Sequence, residues 1–301
     1  MDIQIKSYQA EGKLSLIQFC SADINTFNYI SGSSAIQENK VEICEIDSEG
    51  SVNKVAILNY SDSFVFFSDS DLLIGAKQNR ILNTSILLEP NSKTIIPVSC
   101  VESGRWHSKG YRFGISNINA SSGLRYEKAE KVRKNLKKKN EFDADQRNIW
   151  ANVSEYHKSF ACASRTLDYT DIFHLKSEDL ENTIDKFVVD AGSNGMVLYF
   201  GDKLLNIDLF NSSKIYSEYF LKLLNGGIIE AQKLETSEKR VSEAEATFKT
   251  FEFFDNYENL QFDMHKGAGV GKEKRFTTDE ITGFELQYGL YLIHLTVLQK
   301  N

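Results

Sequence analysis

Along the first hundred residues, short apolar runs alternate with polar, turn-forming clusters. β-prone runs fall at residues 13–19, 41–46, 54–60, 64–67, 81–88 and 94–101, separated by clusters such as SGSS, DSEG and EPNS. Strands recurring at roughly 8–12-residue intervals predict a sandwich or a barrel. Within residues 54–60, Val55, Ile57 and Asn59 share one face, and Ala56, Leu58 and Tyr60 the other. Both faces are largely apolar, so this run is expected to be a central strand. Pro97 lacks the N–H that a ladder needs, which places the run 94–101 at an edge or a bulge.

The pattern changes after Leu124. Residues 125–163 contain no Gly or Pro, and their first half is almost wholly charged. Ile149, Val153, Tyr156 and Phe160 then recur at helical spacing. The expectation is a charged helix, a break near Asn140, and a packed helix capped by Asp143 or Asp145. Further on, Gly201-Asp202 separates two apolar runs and predicts a hairpin. Ser213–Lys233 reads as a helix with Ile215, Tyr219, Leu223 and Ile228 on one side. Strands are expected at 247–254, 283–288 and 291–298. The fold class is therefore α+β. A β-rich, sandwich- or barrel-like part covers 1–121, a helical segment 122–176, and a mixed α/β part 177–301, which is expected to pack with the first as one unit.

Composition narrows the setting. The chain has 301 residues, 41% hydrophobic and 26% charged, enough to bury a large core. No apolar run reaches about 18 residues, the length of a membrane span. The start, MDIQIKSYQA, lacks the basic and apolar regions of a signal peptide. Four cysteines are scattered without a CxxC pair, which fits reduced thiols. The expected localisation is cytoplasmic, with no membrane partner. A net charge of -7 disfavours nucleic acid as a partner. The one basic run, KAEKVRKNLKKK at residues 128–139, has no interleaved aromatics and is expected to be a solvated helix face.

The densest chemistry lies in GAKQNR and CVESGRW. Gln78, Asn79 and Arg80 supply amide donors, amide acceptors and a guanidinium fork in consecutive positions. Arg105 adds a second fork, Trp106 a flat stacking face, and Glu102 a candidate general base. Paired forks match phosphate oxygens, so the set suits a phosphorylated, nucleotide-like small molecule. The same residues would also serve a buried hinge between strands, where charges are kept in pairs. Both readings stand at this point.

Residues 72–113, with Gly75, Gln78, Asn79, Arg80, Pro97, Val98, Cys100, Val101, Glu102, Gly104, Arg105 and Trp106, resemble the ARG- and rhodanese-phosphatase-superfamily-associated protein domain, a bacterial family. Gln146, Trp150, the Asp208–Phe210 triplet and His294 extend the resemblance over most of the chain. It implies a link to ADP-ribose or nucleotide metabolism through the family's genomic neighbours, not a mechanism.

Other candidates carry less. Cys100 has His107 near it in sequence, but a buried free thiol explains it as well. The five histidines show no metal-ligand spacing, so no metal is expected, and no cofactor is implied. His294 within YLIHLTVL reads as a core histidine holding a hydrogen bond. HKGAGVGKEKR lacks the first glycine and the Ser/Thr of a phosphate loop. It leaves a looser anion-binding turn with Lys272 and Arg275, or simply a hairpin.

Two function classes follow. One binds or processes an ADP-ribose-like ligand, with Arg80 and Arg105 on phosphate, Glu102 moving protons and Trp106 stacking. It requires these groups to converge in a partly exposed pocket. The other is a non-catalytic scaffold for operon-encoded protein partners. It requires the same groups to be buried and mutually bonded, with apolar surface exposed elsewhere.

Overall fold

Alternating apolar residues in the N-terminal strands supply two layers at once. The computed structural model describes residues 1–47, 49–107, 110–234 and 239–300. β1 (Ile3–Glu11) and β2 (Leu14–Ser21) pair as an antiparallel hairpin. There follow β3 (Ile30–Ser31), the short α1 (Gly32–Gln37), β4 (Val41–Cys44), β5 (Lys54–Asn59), β6 (Val65–Phe67), β7 (Asp71–Gly75), β8 (Arg80–Leu82), β9 (Ile86–Leu88), β10 (Ser92–Cys100) and β11 (Arg112–Asn119). Six of these close a barrel in the order β10-β5-β4-β11-β7-β8, and β3, β6 and β9 form a small sheet beside it. The barrel interior is filled by Ile43, Val55, Ile57, Leu73, Val98 and Phe113, among others.

β5 is central, between β10 and β4. β10, expected at an edge or a bulge, does not lie at an edge, because a closed barrel has no edges. Its residues up to Pro97 pair with β5, and Val98–Cys100 pair with β8. The N–H that Pro97 lacks thus falls where the ladder changes partner. The run 81–88 is two strands rather than one. Asn83, Thr84 and Ser85 break it because each buried polar side chain bonds outside the ladder.

α2 (Ser122–Lys139) ends at Asn140 in the left-handed region, φ 55°, a conformation Asn tolerates. α3 (Gln146–Ser159) buries Ile149, Val153 and Tyr156. Asp145 stands at its N-cap position but makes no side-chain cap, whereas Asp143 Oδ1 accepts from Asp145 N. α4 (Thr170–Leu175) and α5 (Ser177–Ile184) lead to β12 (Gly195–Phe200), the Gly201 turn and β13 (Lys203–Phe210). Then come α6 (Ser213–Lys233), α7 (Glu243–Asn256), β14 (Asp263–Lys266), β15 (Lys272–Thr277), β16 (Ile281–Tyr288) and β17 (Tyr291–Gln299).

The segment 247–254 was expected as a strand and is helical. A complete capping box, Ser242 with Glu245, starts α7. Its aromatics then split by helical spacing, Phe248 and Phe251 outward and Phe254 into the core. Aromatic richness mimicked a strand, and the cap decided otherwise.

An eight-stranded antiparallel sheet runs β1-β2-β12-β13-β17-β16-β15-β14. The first two strands therefore belong with strands from residue 195 onward. Leu16 faces the main core with α6, while Ile17 faces the layer under α7. Between sheet and barrel lies α2, whose Arg125 and Lys128 are fully buried. The basic run is thus not solvated throughout. Among the described residues, no helix is long and apolar enough to cross a membrane.

Candidate functional site

The QNR residues follow a tight corner after β7, where Ala76 has φ +39°. Only Arg80 lies in β8. The CVESGRW segment runs off the end of β10, so barrel closure brings the two together. Glu102 is fully buried and Arg105 nearly so. Arg105 grips Glu102 with Nε at 2.8 Å and a terminal nitrogen at 2.7 Å. Its remaining N–H groups reach Ala76 O, His107 O and Gly75 O at 2.6, 3.0 and 3.2 Å, with Asn79 Oδ1 at 3.4 Å. A guanidinium has five N–H donors, and each of these has an acceptor within the protein.

Asn79 ties the pieces together. Its backbone N–H donates to Glu102 at 3.1 Å, and its carbonyl accepts from Val101 N. Its side-chain Oδ1 accepts from Gly75 N at 2.9 Å, and Nδ2 donates to Asp168 at 2.7 Å. Asp168 takes Thr170 N and Thr170 Oγ1 on its other oxygen. A bridge between the backbones of Glu102 and Asp168, with Gly104 N donating to Thr166 O, docks the loop before α4 against the motif.

The two carboxylates are driven apart electrostatically. Burial pushes Glu102 upward, but its bonds from Arg105, Asn79 N–H and Thr166 outweigh that and hold it below the ordinary glutamate range. Asp168 is raised, chiefly by burial and then by Glu102 itself. Sequence reading missed Asp168. The available trace was an Asp two positions before Thr170 at a helix start, the spacing of an Asx turn.

Arg80 is buried, and burial lowers its pKa. It donates to Gln78 O and Gln78 Oε1 at 3.2 Å, and lies 3.7 Å from Glu45. Its Nε is buried without a hydrogen bond. Trp106 is 47% exposed and covers this cation, with Arg80 at 5.7 Å and Lys77 at 5.5 Å from the ring centroid. Gln78, Asn79, Arg80, Glu102, Arg105 and Trp106 are thus brought together, with Trp106 alone among them substantially open to solvent.

Residues 2–298 match the family described as ARG and rhodanese-phosphatase-superfamily-associated protein domain. The chain belongs to that family. No curated protein and no solved structure matches it. The looser parts of the family resemblance also have internal roles. Gln146 exchanges two hydrogen bonds with the Cys100 backbone, at 2.7 and 2.8 Å, standing in for a neighbouring strand. Cys100 itself is buried, and burial pushes its thiol up to about 11.

Lys272 and Arg275 are not brought together. Three positions apart on β15, they fall on opposite faces; Lys272 is exposed, while Arg275 is buried and paired with Glu273 at 2.8 Å. The glycine loop before them is a hairpin turn whose Gly267 and Val270 N–H groups bond Gly271 O and Leu87 O.

A second polar cluster fills the space between barrel and sheet. Arg125 pairs with both Asp69 and Asp208, and Lys128 adds bonds to Asp69 and Leu82 O. Burial pushes both aspartates up, yet these cations hold them below the usual range. Ser85 Oγ lies 2.9 Å from His294 Nδ1, and His294 Nε2 lies 3.3 Å from Asp208 without hydrogen-bond alignment. This resembles a Ser-His-Asp triad, but all three residues are fully buried. Ser85 Oγ also accepts from Asp69 N, which directs its hydroxyl hydrogen to His294. His294 is a core histidine with a hydrogen bond, as its apolar strand implied.

Cavities that open to the surface include four of about 280 to 680 Å³. The largest of these is lined by the loop that carries Asp168, with Asp171 and Arg165. The next, about 500 Å³, lies between α4, α5 and the barrel, with Glu181 at its rim. Each of the four carries more carboxylates than Lys or Arg side chains. A fifth, of about 290 Å³, has Lys93 as its one charged residue.

Proposed function

We propose that this protein is a non-catalytic interaction module, in which the family's QNR and CVESGRW residues clasp its own strands. The observation that carries this reading is the saturation of Arg105, whose five donors all end on protein acceptors. Free guanidinium forks or a cavity where cations converge would favour a phosphorylated, ADP-ribose-like ligand. Arg105 offers no free fork, Arg80 lies beneath Trp106, and the three larger cavities, of about 350, 500 and 680 Å³, carry more carboxylates than Lys or Arg side chains. Glu102, held at both oxygens by Arg105, is better suited to fixing geometry than to moving protons.

Exposed apolar surface supports a partner. α7 presents Phe248, 66% exposed, and Phe251, 38% exposed, beside Glu245 and Glu252. An aromatic stripe with acidic flanks complements an apolar surface edged by Lys and Arg. The family's description, which associates it with ARG and rhodanese-phosphatase-superfamily proteins, points to those as the proteins to try. Sedimentation velocity of such a mixture should show a complex that Phe248→Glu and Phe251→Glu weaken without changing the melting temperature. Saturable stabilisation of the isolated protein by ADP-ribose, NAD or AMP, abolished by Arg80→Gln, would overturn the reading.

A further inference from the structure

We propose that the cavity of about 500 Å³ between α4, α5 and the β7–β11 side of the barrel binds an uncharged, partly apolar small molecule. The proposal is independent of the partner reading, because α7 contributes nothing to this cavity. Its volume falls within the roughly 300–1,000 Å³ typical of small-molecule sites.

The lining sets the ligand's chemistry. Phe173 and Leu180 are buried among the main core residues, and Ile74, Ile118 and Ile184 pack against that core. They form an apolar floor for a ring or short chain. Around it stand Asn117, His174 and Ser177, which offer hydrogen bonds at the mouth. Glu181 is the one carboxylate in the lining, and no Lys or Arg accompanies it. An anionic ligand would meet a repulsive edge without a compensating cation. A neutral molecule with an apolar body and a few polar atoms meets none of these costs.

A second observation sets this cavity apart from a packing gap: the clasp fixes two of its walls. Asn79 Oδ1 holds Gly75 N, next to Ile74 on the barrel wall. Asn79 Nδ2 holds Asp168, whose other oxygen holds Thr170 at the first turn of α4. Thr170, Phe173 and His174 line the opposite side. One side-chain amide therefore spans both walls and sets the width between them. Such support by a surrounding hydrogen-bonded shell is what a preorganised site requires.

The test uses the full chain and a neutral fluorescent probe, N-phenyl-naphthylamine. Saturable one-to-one binding with a rise in fluorescence is expected. Asn117→Trp and Ser177→Trp, both at exposed mouth positions, should each weaken it by about tenfold or more, with melting unchanged. The negatively charged anilinonaphthalene sulfonate should bind more weakly than the neutral probe. Absence of saturable binding, wild-type affinity in both Trp variants, or tighter binding of the sulfonate would each overturn the proposal.

Discussion

Asn79 and Asp168, 89 positions apart in the chain, share a 2.7 Å hydrogen bond from Nδ2 to Oδ2. It links the corner after β7 to the loop that starts α4, and so couples the barrel to the helical segment. Each residue uses its second polar end locally, Asn79 on Gly75 and Asp168 on Thr170. Replacing Asn79 by Ala leaves the half-buried Gly75 N–H and a buried Asp168 carboxylate oxygen short of partners. The expected loss is about 1–3 kcal/mol, measured by urea unfolding. A loss indistinguishable from zero would mean that the corner holds its shape by packing alone.

Arg105 should be far less replaceable. Arg105→Met strands Glu102 as a buried carboxylate without its cation, at a cost of about 3–5 kcal/mol. Arg105→Lys should rescue little, because an ammonium cannot reproduce the fork on Glu102 and the separate bonds to Ala76, His107 and Gly75. Full stability in the Lys variant would show that charge, not the fork, is what the site needs.

Acid should unfold the protein. Asp69, Asp208, Glu102 and Glu130 all have folded values below their unfolded ones of 3.8 or 4.5, Glu130 down to about 2. A depressed carboxylate contributes stability that is present above its unfolded value and lost as pH falls toward the folded one. Asp168 and Glu273 are raised, chiefly by burial, and act in the opposite direction. With four depressed carboxylates against two raised ones, stability should fall from about pH 4.5 down to about pH 2. Asp69→Asn should flatten that slope in a pH series of unfolding curves; an unchanged slope would remove Asp69 from the account.

Ser85 should be inert despite its triad-like neighbours. With Ser85, His294 and Asp208 fully buried, a fluorophosphonate probe should leave Ser85 unlabelled in the folded protein. Ser85→Ala leaves Asp69 N–H and His294 Nδ1 unpaired and should cost about 1–3 kcal/mol. Labelling at Ser85, detected by peptide mass spectrometry, would point to a serine hydrolase.

Gly104 has no room for a side chain. A Cβ there would lie 2.7 Å from Thr166 Cα, which is backbone and cannot rotate away. Gly104→Ala should push the Asp168 loop off the motif and destabilise by about 1–3 kcal/mol. The expected signature is faster amide exchange over residues 161–168 in a chain that still folds. Unaltered exchange there would contradict the docking role.

Local pattern by itself determined the α+β class, the central position of β5, the Gly201 hairpin and the full extent of α6. These rest on side-chain periodicity and turn chemistry, which act between near neighbours in the chain. It also marked the QNR and CVESGRW residues as one unit, while leaving open whether they face a ligand or one another. Only the tertiary structure shows which partners these groups take. A guanidinium's partners are chosen by whatever barrel closure carries within about 3 Å, and here those are Glu102, Asn79 and three backbone carbonyls. The same holds for Asp168, invisible as a partner of Asn79 until the loop docks, and for Lys128, which looks solvated until α2 packs between barrel and sheet. Pro97 shows the reverse case: its missing N–H was legible, but the change of ladder partner that accommodates it exists only in a closed barrel.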